Sequence, residues 1–194
     1  MEIIAHRINT LEDLEKLPND VGAEIDIRCH DFLGLKKTYL HHEPYEESSV
    51  VLEDFLKKWK EKNQKGTLIL DIKNERCEYE CKRLLDLYKI KKYFFLDCSF
   101  PMIYKLTSEG EHKVAVRFSE LEGMDSVINM AGDCKWVWVD TFTKNPLTKK
   151  LADEMHWLGY KICFVSPELQ GQPEKKEEYL EEVKDYVDAI CTDL

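Results

Sequence analysis

Apolar and polar positions along this chain follow two different periods. Leu52, Phe55, Leu56 and Trp59 recur at intervals of three, four and seven, which predicts a helix over 52–62 with one buried stripe. Thr10, with Asp13 three residues on, opens a short helix over 10–16 that Pro18 ends. Further helices are predicted over 75–88, 101–108, 123–131, 147–158 and 174–187, and Gly159 closes the fourth of these. Between the helices lie short apolar runs, read as strands over 3–7, 21–29, 67–73, 93–98, 113–118, 135–140, 160–165 and 188–192. The segment 30–37 turns at Gly34 and returns as a strand over 38–43, a hairpin arm outside this alternation. With the arm set aside, eight strands separated by helices predict a parallel sheet and a compact (β/α)8 TIM barrel. No helix follows the eighth strand in the sequence given.

Composition changes that picture little. The 194 residues suit one domain spanning 1–194, and 43% hydrophobic with 34% charged residues suits a packed core under a solvated surface. The net charge of -10 argues against nucleic acid as a partner, because a phosphate backbone needs a basic footprint. A small anion needs only a local positive site. The seven cysteines have no regular spacing, and Cys98, Cys163 and Cys191 fall in apolar runs as buried thiols. Cys77 and Cys81 are one helical turn apart, but no second pair completes a zinc site. No leader-like segment and no apolar run of the ~18 residues a membrane span needs is visible. The expectation is a soluble, cytoplasmic protein, and nothing in the pattern specifies an oligomer.

The candidate chemistry sits at the strand ends. His6 and Arg7 end the first strand, Glu24 and Asp26 the second, His42 and Glu43 the arm, and Asp71 and Lys73 the next strand. Residues two apart on a strand share a face, so Glu24 pairs with Asp26 and Asp71 with Lys73. Carboxylates gathered without a cation cost free energy. An all-oxygen set of Glu24, Asp26 and Asp71 suits a hard divalent ion, Mg2+ or Ca2+. His6 and His42 suit general acid–base work near neutral pH. His41, adjacent to His42, would face the opposite side of an extended strand. Arg7 and Lys73 offer charge for a phosphate. Trp136, Trp138 and Asp140 share a strand face and read as core and rim.

These residues carry a resemblance. Ala5-His6-Arg7 with Asn9, then Glu24-Ile25-Asp26, His42-Glu43-Pro44 and Asp71-Ile72-Lys73 resemble the ordered motifs of the glycerophosphodiester phosphodiesterase family. That family reads His-Arg-Gly, Glu-x-Asp, His-Asp-Pro and Glu-x-Lys. Ser99-Phe100 and Thr192-Asp193 resemble its later motifs, so the likeness runs almost the whole chain. The resemblance implies a (β/α)8 barrel, catalytic His6 and His42, a divalent metal on Glu24, Asp26 and Asp71, and phosphate binding by Arg7 and Lys73. Three positions depart from the pattern: Ile8 stands for Gly, Glu43 for Asp and Asp71 for Glu. The small insertion usual after His-Asp-Pro is also absent.

The expected function is metal-dependent hydrolysis of a small phosphodiester, a glycerophosphodiester or related polyol diester. Two alternatives remain at this level. One is a lyase that forms a Schiff base through Lys73. The other is a barrel that binds a phosphorylated ligand without turning it over.

Overall fold

In the computed structural model, which describes residues 1–32, 35–44 and 50–194, the short apolar runs are strands and the periodic segments are helices. The elements fall into two units, one of Met1–Ile4 with Pro101–Leu194 and one of Ala5–Phe100.

The unit Ala5–Phe100 contains α1 (Leu11–Lys16), β2 (Gly22–Phe32), β3 (Leu35–Leu40), α2 (Leu52–Glu61), β4 (Leu68–Ile72), α3 (Glu78–Leu87) and β5 (Tyr93–Leu96). Its sheet runs β5-β4-β2 in parallel, with β3 antiparallel on β2. The register sets Asp26 directly beside Asp71, and Asp71 beside Leu96. Thr10 caps α1 as its sequence predicts, accepting from Asp13 N at 3.0 Å. The stripe Leu52, Phe55, Leu56 and Trp59 is buried on α2. Gly66 admits no side chain, because a Cβ there would lie 2.3 Å from the Val21 carbonyl oxygen.

The other unit opens with β1 (Glu2–Ala5). It continues with α4 (Phe100–Ser108), β6 (Ala115–Phe118), α5 (Met124–Asn129), β7 (Trp136–Val139), α6 (Lys149–Trp157), β8 (Lys161–Val165), α7 (Lys176–Val183) and β9 (Ala189–Thr192). Strands β9-β8-β7-β6 pair in parallel. Gly159 follows α6 at φ 89°, the left-handed conformation that its sequence position predicts. Trp136 and Trp138 are nearly buried, and Trp138 Nε1 donates to Asp140 at 3.0 Å, in keeping with core and rim.

Strands and helices alternate as expected, and the fold class is (β/α)8. Several details differ from the sequence reading. β1 spans Glu2–Ala5, so His6 and Arg7 lie in a turn beyond the strand expected over 3–7. β2 runs to Phe32, three residues further, because it pairs with β3 from Ile27↔Leu40 to Phe32↔Leu35. β3 ends at Leu40, so His41 and His42 lie beyond the strand. The helix expected over 174–187 is divided: a 3-10 turn, Pro173–Lys175, precedes α7. The turn expected at Gly34 lies outside the described residues. Among the described residues no helix is long and apolar enough to cross a membrane.

After β8, Glu168 ties three segments together. It accepts from Ser166 Oγ, from Thr192 Oγ1 at 2.5 Å and pairs with Lys176 at 2.9 Å. Burial alone would raise its pKa, but these donors bring it down to about 2. The carboxylate therefore stabilises the fold above the ordinary carboxylate range, and the contribution fades as pH falls towards 2. Glu168→Gln should cost about 1–2 kcal/mol at neutral pH, at the low end for charge-assisted bonds because Lys176 is partly exposed. The deficit should shrink in acid, as read by denaturant unfolding at several pH values. An unchanged deficit at low pH would show that charge plays no part.

Candidate metal and phosphate site

The predicted site residues all belong to the unit Ala5–Phe100. Glu24 and Asp26 lie on β2 and Asp71 on β4, and the parallel register brings them together. Their side chains offer one oxygen each within 4.8 Å of one another. All three are buried, at 2%, 1% and 6% exposure.

Each carboxylate is held by one oxygen and leaves the other without a hydrogen bond. Arg7 N donates to Glu24 Oε2 at 2.7 Å, Asn9 Nδ2 to Asp26 Oδ2 at 2.6 Å, and Lys73 Nζ to Asp71 Oδ2 at 2.6 Å. Glu24 Oε1, Asp26 Oδ1 and Asp71 Oδ1 are buried and accept no hydrogen bond. Lys73 Nζ approaches Asp26 Oδ1 to 3.1 Å, a charge contact without hydrogen-bond alignment. Three bare oxygens on three adjacent carboxylates are the donor set of a hard cation, so the residues fit the divalent ion their motif implies.

The electrostatics agree. Burial, then the neighbouring Asp26 and Asp71, hold the Glu24 carboxyl well above its ordinary range. Burial and then Asp97 push Asp71 up to about 7, against the pull of Lys73. Burial opposes the charge on Lys73, but Asp71, Asp26 and Glu24 raise its pKa overall. The ammonium is therefore kept.

Local backbone arranges the first strand's contribution. Arg7 takes φ 53°, a left-handed conformation uncommon outside glycine, and this turn presents its N–H to Glu24. Ile8 has no positive φ, and its N–H donates to Glu24 O at 2.9 Å. The missing glycine of the family motif is thus not needed here for backbone conformation. His6 lies in the same turn, half-buried.

His42 sits beyond β3, half-buried, between two partners. Its Nδ1 lies 2.7 Å from Glu43 Oε1, and Arg7 Nη2 donates to its Nε2 at 2.7 Å. A guanidinium only donates, so Nε2 is the acceptor and Nδ1–H faces the carboxylate. His41 differs, with Nδ1 3.0 Å from the Glu43 carbonyl oxygen. The strand-parity argument loses its premise, since neither residue is in β3, yet His42 is the one that meets Arg7. Arg28 grips this turn, donating from Nη2 to His42 O at 2.6 Å.

The sequence reading assigned no role to Arg28, Asn74 or Asp97. Arg28 follows Glu24 and Asp26 at the same two-residue interval, a signal that was available. Asn74 follows Lys73 and binds both backbone groups of Cys29, at 3.0 and 2.9 Å. Asp97 acts on Asp71 from the end of β5, a pairing only the register reveals.

No family model matches the sequence, and no curated protein matches it by sequence. Solved structures do. A glycerophosphodiester phosphodiesterase from Agrobacterium tumefaciens superimposes with TM-score 0.70 at 12% identity, covering 98% of this chain and 95% of that one. A glycerophosphoryl diester phosphodiesterase from Parabacteroides distasonis gives 0.68 at 15% identity, over 97% of this chain and 81% of that one. At such identities the likeness is one of fold, and it extends over nearly the whole chain.

Burial raises the Glu24 and Asp71 carboxyls, and this makes a direct expectation for cation binding. Mg2+ or Ca2+ should raise the melting temperature, and binding should tighten as pH rises to about 7 because protons leave Asp71 over that range. At one hundred times Kd the added stability should be about 2.7 kcal/mol. Asp71→Asn should abolish the effect in calorimetry. Equal cation stabilisation in that variant would remove Asp71 from the ligand set.

Proposed function

We propose that this protein is a divalent-cation-dependent phosphodiester hydrolase acting on glycerophosphodiesters or a related small polyol phosphodiester. The observation that carries the reading is the trio of bare, buried oxygens on Glu24, Asp26 and Asp71. They stand in stretches that resemble the phosphodiesterase motifs in order, with Asp71 where that pattern has Glu. The fold shared with two phosphodiesterase structures supports the same reading.

Glu24, Asp26 and Asp71 would hold the cation. When bound, it would supply Lewis-acid neutralisation of charge on a phosphate oxygen. Arg7 is the exposed cation closest to the catalytic imidazole and would take the other phosphate charge. In doing so its guanidinium leaves His42 Nε2, whose lone pair is then available to a hydroxyl. His42 is accordingly the general base, and Glu43 keeps its Nδ1–H in place and stabilises the imidazolium that forms. His6 would return a proton to the leaving alcohol. Lys73 would keep Asp71 and Asp26 in register while compensating their charge, and would face the bound phosphate from there.

The Schiff-base alternative is disfavoured by the state of Lys73. Its partners raise its pKa, whereas an amine nucleophile needs a lowered one. Borohydride should therefore trap no adduct with small carbonyl compounds.

The test is a panel of glycerophosphocholine, glycerophosphoethanolamine, glycerophosphoinositol, a lysophospholipid and a polyol phosphodiester, each with Mg2+, Ca2+ or Mn2+. Glycerol phosphate should appear from several glycerol diesters, and chelator should stop its release. His42→Ala and His6→Ala should each lower turnover by ~10²–10⁴-fold with folding intact, and His41→Ala far less. Absence of turnover from every compound, in protein that binds its cation, would leave a ligand-binding barrel instead.

A further inference from the structure

Unit Ala5–Phe100 holds a second cluster that the hydrolase reading does not use. Cys29 lies on β2, and Cys77 is the N-cap residue of α3. The Asn74 side chain touches both thiols. Its Nδ2 is 3.5 Å from Cys29 Sγ and its Oδ1 is 3.9 Å from Cys77 Sγ. Cys77 Sγ also donates to Asn74 O at 3.1 Å, and the neighbouring Cys29, then burial, push the Cys77 thiol up. The same amide binds the Cys29 backbone on both sides, so the two cysteines are carried by segments already fastened together.

Access is asymmetric. Cys29 is half-buried and lines a cavity of about 220 Å³ with Thr38, Asn74, Glu75, Arg76 and Glu80 among its walls. Cys77 is fully buried, as are the remaining five cysteines. One reachable thiol against one concealed thiol is the arrangement of an attacking and a resolving cysteine. Cys29 Sγ donates to the Glu75 carbonyl oxygen at 3.6 Å and takes the Asn74 amide at 3.5 Å.

We propose that Cys29 and Cys77 form a reversible disulfide that fastens β2 to the start of α3 when a peroxide reaches the cavity. The Cys29 thiolate attacks one peroxide oxygen and the O–O bond breaks. This leaves a sulfenic acid on Cys29 and releases water after protonation. The Cys77 sulfur then attacks the sulfenic sulfur, the S–O bond breaks, and a second water leaves with the Cys77 proton. Two thiols and one hydrogen peroxide become one disulfide and two waters. A small dithiol reverses it.

The test uses the full chain and hydrogen peroxide, followed by alkylation and non-reducing tryptic mapping by mass spectrometry. Cleavage after Arg28 and Arg76 places the two cysteines at the starts of separate peptides. Because Cys81 shares a peptide with Cys77, the linkage should persist in Cys81→Ser and vanish in Cys77→Ser. Two of the seven thiols should disappear from an Ellman titration, and dithiothreitol should restore them. In untreated protein, iodoacetamide should label Cys29 before any other cysteine, a readout that needs no variant to fold. Linkage through Cys81, sulfinic acid at Cys29 as the main product, or labelling of Cys29 no faster than Cys134 would each overturn the proposal.

Discussion

The constraint on which the rest depends is the burial of three carboxylates against one another. Like charges within 4.8 Å and out of water are costly, and a core of apolar side chains in their place would be cheaper. The chain accommodates them by satisfying one oxygen of each from a different source: a main-chain N–H, an asparagine amide and a lysine ammonium. Two of these sources require something of the backbone. Arg7 adopts a left-handed conformation, at a cost of order 1–3 kcal/mol, to aim its N–H at Glu24. Asn9 must stand close enough to grip both the carboxylate and the N–H of Asp26. Strain and buried charge at one place, with ordinary packing around it, is how functional sites usually depart from the rules that govern the core.

That contrast explains what could be read from the sequence. The strands and helices followed from continuous apolar runs and from stripes such as Leu52, Phe55, Leu56 and Trp59, because burial by periodicity is a local property. The carboxylate trio was readable for a different reason. Glu24 and Asp26 share a face by strand parity, and parallel pairing with the strand ending in Asp71 then follows from the alternation. The turn after β3 was not readable. Whether His42 belongs to a strand depends on where β3 stops, and that is decided by a partner strand and by Arg28 reaching across to its carbonyl. The pairing of His42 with Glu43 was in plain view as neighbours in the motif. The contact with Arg7, thirty-five residues away in sequence, was not.

The departures from the family motif can be weighed against the same geometry. Ile8 is harmless to the backbone, since the positive φ falls on Arg7 instead. Asp71 in place of Glu is a shorter arm, but β4 places its Cα directly opposite that of Asp26, and its carboxylate still joins the cluster. Glu43 in place of Asp is a longer arm, and the extra methylene is what lets it fold back to Nδ1 of the residue before it.

Charge balance carries the argument one step further. Glu24, Asp26 and Asp71, once ionised, sum to minus three, and Lys73 returns one positive charge. The remainder is minus two, the complement of a divalent cation, which by binding would take the place of the protons that burial holds on Glu24 and Asp71. On the proposed reading the filled cluster is then neutral, the charge of Lys73 being balanced within it, and Arg7 is the exposed cation beside His42. One positive charge matches a phosphodiester, which carries a single negative charge at neutral pH. A phosphomonoester brings nearly two and would set its surplus beside three carboxylates, with Lys73 already paired to Asp71 and Asp26 and Arg28 to the carbonyls of His41 and His42. Selection of diester over monoester would follow from the sum of charges in the cluster, before any contact with the alcohol on either side.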